Sequence, residues 1–241
     1  MNATQTADFD LERIIPDYLS DDPHERETFA IHSARYEFAS SYVRGKRVLD
    51  IACGAGYGSA ILAAAGAASV TGVDLSAETI AYARERYGNR GIEFINSDGM
   101  TFDPQRTFDV VVSLETIEHV PDARGFVKRL ATFVAPGGVL IGSVPTTFST
   151  DINPYHLHDF SAAEFRELFA HNGLTTIDEM TQAQRYFPLR MRSTTQTSRR
   201  SYQIKPLLRY YATHPRALVR RMVFTVKRGF VNEYLVLVGQ R

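Results

Sequence analysis

The sequence predicts an α/β protein built on a doubly wound, mostly parallel sheet. Three observations carry this. Short β-branched runs alternate with stretches of helical period five times between Lys46 and Val144. The helical stretches open on capping residues and stop at Gly or Pro. The first strand ends in a Gly-rich turn that passes directly into an Ala-rich helix. With 241 residues the chain is long enough for one sizeable core with an elaboration.

Residues 1–44 read as a helical lead-in, because Phe29, Ser33, Tyr36 and Ser40 with Ile31, Arg35 and Phe38 fit a helix with one apolar face. Lys46–Ile51 reads as a buried first strand, followed by the Gly54–Gly58 turn and a helix over Ser59–Ala65. Ser69–Val73 is a second strand ending at Asp74. Ser76 and Thr79 give the next helix a Ser-x-x-Thr start. Ile92–Ile95 is a third strand, ending near Asp98, and Phe108–Ser113 a fourth. The helix predicted over Asp122–Val134 stops at Pro136-Gly137-Gly138, before a fifth strand at Val139–Val144. Ser161 and Glu164 form a capping box that opens a helix with Phe165, Leu168 and Phe169 on one face; Gly173 ends it. Leu174–Ile177 and Glu233–Val238 are the sixth and seventh strands.

Between these last strands lies a segment of unusual charge. From Thr181 to Asn232 there are twelve Lys or Arg and no Asp or Glu. Lys+Arg and Asp+Glu number 27 each in the whole chain, so the remainder carries 15 basic against 27 acidic residues. Such a surface either faces something anionic or packs on the protein's own acidic body. Leu207, Leu208 and Tyr211, then Leu218 and Met222, predict two short amphipathic helices broken at Pro215. The expected organisation is a lead-in over 1–44, a core over 45–180, a basic helical insertion over 181–231 and a closing strand over 232–241. The N-terminus has no apolar stretch of a secretory signal, no run is long enough to span a membrane, and the lone Cys53 excludes an internal disulfide framework. The expectation is a cytoplasmic protein, with peripheral contact to the inner face of the membrane open through residues 181–231.

In open parallel sheets ligands sit at the carboxyl ends of the strands. Here Asp50 precedes Gly54 and Gly56, and Asp74 ends the second strand, where a carboxylate can accept from both hydroxyls of a ribose. A dinucleotide fingerprint asks for Gly or Ala where this chain has Ser59, and no second mononucleotide-binding half is present. That argues against NAD.

Taken together, KRVLDIACGAGYGSAIL, VTGVDLS, NSDGM, FDVVVSLETIEHV and APGGVLIGSVP resemble, in order, the motifs of class I methyltransferases that use S-adenosylmethionine (SAM). The resemblance covers roughly residues 30–180. It implies a Rossmann-like seven-stranded sheet whose last strand, EYLVLVGQR, is antiparallel. It also implies that Asp50 and the loop with Cys53, Gly54, Gly56 and Tyr57 hold the methionine part of SAM. Asp74 with Leu75 would bind the ribose side, and Asp98, Gly99 and Met100 the adenine. Arg35, Tyr36 and Glu115 would be further cofactor contacts, though plain helix packing is an equal reading for the first two.

Methyl transfer to oxygen is an in-line displacement, and a hydroxyl acceptor needs help losing its proton. Glu115, Glu118 and His119 would share one face if the segment after the fourth strand turned helically. Two carboxylates and an imidazole can bind one divalent ion. The loop after the fifth strand brings His156 and His158 to the same end of the sheet. The run is similar to that of polyprenyl-quinone O-methyltransferases and of small-RNA 3′-terminal 2′-O-methyltransferases. By that similarity Glu115, Glu118, His119 and His156 would ligate Mg²⁺ or Mn²⁺. Two other readings stand beside it: a metal-free base at His119 with His156 or His158, or a run without a chemical role. His24, His171 and His214 read as surface residues, and Cys53 as an unreactive thiol.

For the acceptor, the first expectation is a sugar hydroxyl on an anionic small molecule or lipid-linked glycan. A polyprenyl-quinone precursor is the second, and RNA, without a dedicated binding motif, the third. A SAM-binding module without catalysis is the fourth. A homodimer is compatible with the sequence, which does not fix the oligomeric state.

Overall fold

In the computed structural model, residues 14–151, 153, 155–185 and 207–241 are described; of these, the side chains of residues 24 and 207–209 are left out. The expected insertion therefore lies outside the described residues from 186 to 206, with Arg190, Arg192, Arg199, Arg200 and Lys205, as does the start of the lead-in.

Seven strands form one sheet: β1 (Arg47–Ile51), β2 (Ser69–Asp74), β3 (Ile92–Asn96), β4 (Phe108–Leu114), β5 (Val134–Pro145), β6 (Thr175–Arg185) and β7 (Val231–Gln240). Their order is β3-β2-β1-β4-β5-β7-β6. The first five are parallel, and β7 runs antiparallel between β5 and β6. The predicted fold class is the one observed, with the order reversing outward from β1 and β4 as a doubly wound sheet requires.

At the centre of the sheet β1, β4 and the later part of β5 are buried on both faces, so they are largely apolar at consecutive positions rather than at alternate ones. Val48, Val110, Val112 and Ile141 face one layer, packed by α1 (Pro23–Ser40), α2 (Tyr57–Ala64) and α3 (Ala77–Tyr87). Leu49, Val111 and Leu140 face the other, filled by Phe126, Val127 and Leu130 of α4 (Ala123–Phe133) and Phe165 and Phe169 of α5 (Ala162–His171). Caps fix the helix starts: Ser76 Oγ accepts from Thr79 N at 3.2 Å, and Ser161 and Glu164 bond reciprocally at 3.2 and 2.8 Å.

Three expectations on boundaries are corrected. The Pro136-Gly137-Gly138 stop lies inside β5, which pairs Val134 with Phe108 before a bulge resumes the ladder at Val139 and Val110. The sixth strand, expected over Leu174–Ile177, runs to Arg185, past the boundary drawn at residue 180. It is an edge strand, mostly exposed and polar, so no apolar run announced it. The closing strand also begins earlier, at Val231.

The insertion forms the two expected helices, α6 (Leu207–Thr213) and α7 (Pro215–Arg228), with Pro215 in the first turn of α7 where its missing N–H costs nothing. Among the described residues no helix is long and apolar enough to cross a membrane.

Candidate active site

The carboxyl ends of β1, β2 and β3 gather one group of expected residues. After β1 the chain bends through Ala52, Gly54 and Gly56, all at positive φ (62°, 54° and 80°). Asp74 braces this turn from β2: its carboxylate accepts from Gly54 N and Ser76 N, each at 2.9 Å. The glycines divide in purpose. A Cβ on Gly56 would lie 2.8 Å from Ala83 and 2.9 Å from Phe94, and one on Gly58 would lie 2.0 Å from the Tyr36 ring. Gly54 alone of these three faces open space, with nothing within 4 Å. Internal packing therefore demands two of the glycines, and only Gly54 leaves its backbone open to a ligand.

Asp50 is fully buried beneath the turn. Its carboxylate accepts from Ser59 Oγ at 2.6 Å and from Tyr36 OH at 3.3 Å. Burial pushes its pKa up to about 7, against the pull of those two hydrogen bonds. Burial also raises Cys53 well above the ordinary thiol range, which suits an inert side chain. Tyr57 packs edge-on to Phe29 and Tyr36. Leu75 is 66% exposed beside the buried Asp74. Asp98 is exposed and accepts from Met100 N at 2.8 Å; at Gly99 a Cβ would meet Ile51 at 2.9 Å, so the loop after β3 closes tightly on β1.

Arg35 is fully buried on α1. Its Nε donates to Gln182 on β6 at 2.8 Å, its guanidinium lies 4.3 Å from the centre of the Tyr234 ring, and Nη1 sits 3.4 Å from Glu115. Glu115 stands at φ 51° just after β4. Its other oxygen accepts from Ser143 Oγ at 2.7 Å. This left-handed residue breaks the expected helical turn, so Glu115 does not share a face with Glu118 and His119. Expected among the metal ligands, Glu115 has its carboxylate turned to Arg35 and Ser143 instead and is not in the group that Glu118, His119 and His156 form.

Three other expected ligands do converge. One donor atom each from Glu118, His119 and His156 lies within 4.8 Å of the other two. Glu118 is fully buried, and its Oε1 is 3.9 Å from His119 Nε2. The rings of His119 and His156 meet edge to face, 4.7 Å between centroids. His119 Nδ1 lies 3.1 Å from Tyr155 O. A carbonyl only accepts, so Nδ1 carries the proton and the neutral ring keeps its lone pair on Nε2. His156 Nδ1 bonds Ser149 Oγ at 2.5 Å. His158 is different: its Nε2 donates to Val120 O at 2.9 Å, which ties the loop down, and it is not in this group of three.

The basic insertion holds this loop from outside. Tyr211 OH donates to Asp151 at 2.7 Å, Arg221 Nε does so at 2.9 Å, and Arg221 also reaches Phe148 O. Arg220 pairs with Asp159 and stacks 3.5 Å above the centre of the Phe148 ring. Asp159 in turn accepts from the backbone N–H of Ser149 and Thr150. Part of the positive charge thus packs on the protein's own acids. Sequence reasoning did not single out Ser149, Asp151, Asp159 or Ser143. Only the position of the first three beside the histidine run could have drawn notice, since pairing across the fold leaves no local pattern.

Comparison with known proteins places this geometry. Residues 49–142 match the family model described as a methyltransferase domain. A probable S-adenosylmethionine-dependent methyltransferase of Mycolicibacterium smegmatis is 34% identical over 175 residues, covering 70% of this chain and 66% of that protein. One from Mycobacterium tuberculosis is 31% identical over 172 residues, 69% of this chain and 61% of that one. The chain so spans just under two thirds of these relatives' length. A ubiquinone biosynthesis O-methyltransferase of Paramagnetospirillum magneticum is 37% identical over 120 residues, 49% of this chain and 48% of that protein. Among solved structures, magnesium protoporphyrin IX methyltransferase from Synechocystis with bound S-adenosylhomocysteine (SAH) superposes with a TM-score of 0.62. It is 15% identical, and the match covers 91% of this chain and 88% of that one. That likeness is one of fold.

Proposed function

From the premise that residues 49–142 are a methyltransferase domain and the chain is homologous to class I SAM-dependent methyltransferases, we propose that this protein methylates an acceptor hydroxyl with a divalent cation held by Glu118, His119 and His156. The observation that carries the reading is the convergence of one carboxylate and two imidazoles within 4.8 Å, at the same end of the sheet as the glycine turn. One oxygen and two nitrogen donors suit a first-row divalent ion, and Mg²⁺ less closely.

The residues present fit SAM as well. Open space over Gly54, the exposed Leu75 and the Asp74 and Asp98 carboxylates suit a ligand with an amino-acid end, a ribose and a base. Residues 53–57 would take the methionine part, Asp74 the ribose, and Asp98 with Gly99 and Met100 the adenine. SAM, when bound, supplies a methyl on a sulfonium for in-line displacement. A divalent ion, when bound, lowers the pKa of a hydroxyl it touches. The chain's own part is positional. Buried Glu118 offsets cationic charge, the Tyr155 carbonyl fixes His119 with Nε2 as ligand or proton acceptor, and Ser149 turns the His156 ring. The Arg35–Glu115–Ser143 chain anchors the end of β4 beneath them.

Likeness to a ubiquinone biosynthesis O-methyltransferase brings a polyprenyl-quinone precursor forward as the first acceptor to test. The sugar acceptor expected from the sequence stands as the second. The protein is incubated with methyl-labelled SAM and Mg²⁺ or Mn²⁺, in parallel with a catechol-bearing polyprenyl precursor, nucleotide sugars, a lipid-linked glycan and short RNA. The reading expects label on an ether oxygen, lost on chelation. Label on nitrogen or carbon contradicts it, and SAM binding without transfer to any acceptor points to a binding module instead.

A further inference from the structure

Helix α7 is amphipathic with its sides reversed. Arg220, Arg221 and Phe224 turn toward the protein, onto Asp159, Asp151 and Phe148. Leu218, Val219, Met222, Val223 and Val226 recur at helical spacing on the opposite side and stand exposed, from 38% at Leu218 to 86% at Val226. Arg216 and Lys227 lie at the margin of that apolar face, exposed and, among the described residues, in no ion pair. A charged face buried against protein and an aliphatic face turned to water is costly unless something covers the latter.

We propose that this face of α7 docks on an anionic lipid surface. Aliphatic side chains bordered by Arg and Lys are what a helix lying in the headgroup plane presents. The segment from Thr181 to Asn232 carries twelve cations and no acid. Asp159, Asp151 and Glu233 of the body or the segment's border take three of them, at Arg220, Arg221 and Arg228. Among the described residues Arg216 and Lys227 are in no ion pair, and an anionic bilayer offers the negative charge that they lack. A second copy of this chain would bring Arg216 and Lys227 against their own kind. The same helix grips the loop that carries His156, so a docked bilayer would lie on the far side of α7 from that loop. The proposal stands apart from the methyl-transfer reading and does not require it.

Flotation of the full chain with vesicles of phosphatidylcholine alone, or mixed with phosphatidylglycerol, tests this. The expected result is flotation with the anionic vesicles only, weakened by added salt. Met222→Glu with Val226→Glu should lower it about tenfold or more, as should Arg216→Glu with Lys227→Glu. Calorimetric SAH binding by each variant should equal that of wild type, which separates loss of the surface from loss of the fold and reports on the methyltransferase reading independently. Equal capture by neutral and anionic vesicles, no capture, or unchanged capture of folded variants overturns the proposal. So does a dimer dissolved by Val226→Glu without any vesicle binding.

Discussion

The imidazoles of His119 and His156 meet edge to face, 4.7 Å between centroids, though they come from loops after different strands. Each ring is turned by a hydrogen bond at its Nδ1, which donates to Tyr155 O in His119 and pairs with Ser149 Oγ in His156. Two rings oriented this way beside a buried carboxylate are the arrangement on which the proposed cation site rests. Ser149→Ala should therefore loosen His156 without unfolding the protein. The expected outcome is a 10- to 100-fold weaker affinity for Mn²⁺, read by calorimetry, with SAH binding unchanged. Unaltered Mn²⁺ affinity would show that the Ser149 bond has no part in orienting the ring.

The glycine turn makes a graded prediction. Gly58→Ala drives a methyl into the Tyr36 ring and Gly56→Ala adds a left-handed φ to a tight contact, so both should cost roughly 2–3 kcal/mol of stability. Gly54→Ala meets no protein atom and carries only the backbone strain, about 1 kcal/mol. It should chiefly weaken SAH binding. Thermal melts with and without SAH separate the two effects, and the ranking fails if Gly54→Ala is the least stable of the three.

Asp50 makes a prediction in pH. Its folded pKa, about 7, lies above the value of roughly 4 for a free carboxyl, so the native state holds a proton that the unfolded chain has lost. Its contribution is fully present below pH ~4 and is lost as pH rises through about 7. Asp50→Asn removes that dependence. Urea unfolding should show the variant gaining on wild type between pH ~4 and 8, by up to about 4 kcal/mol. A constant difference across that range would contradict the assignment.

Arg221 and Asp151 form a nearly buried pair, 12% and 3% exposed at the side chain. Arg221→Met leaves the Asp151 carboxylate buried without its cation and should cost about 3 kcal/mol. Arg220→Met, at a pair whose arginine is 45% exposed, should cost about 1 kcal/mol or less. Chemical denaturation measures both, and equal costs would mean that burial does not set the difference.

The sequence made the central parallel strands legible because both of their faces are buried, which makes runs such as Phe108–Ser113 largely apolar at consecutive positions. The capping box at Ser161 and the break at Pro215 were readable for the same local reason. The length of β6 was not. An edge strand of Thr, Asp, Glu and Gln is held by pairing with β7 and by α1, and neither leaves a pattern along the chain. At the site, His119 and His156 were legible as a pair of runs. The left-handed turn at Glu115 was not, since Ser143 and Arg35, which draw its carboxylate away, lie far off in sequence.

The proposed cation site is open to calorimetric titration of chelator-treated, SAH-loaded protein with Mn²⁺ or Mg²⁺, for wild type, Glu118→Gln, His119→Ala and Glu115→Gln. One saturable site is expected, abolished by the first two substitutions and left in place by Glu115→Gln. No metal heat in wild type, or a site indifferent to Glu118→Gln and His119→Ala, would contradict it.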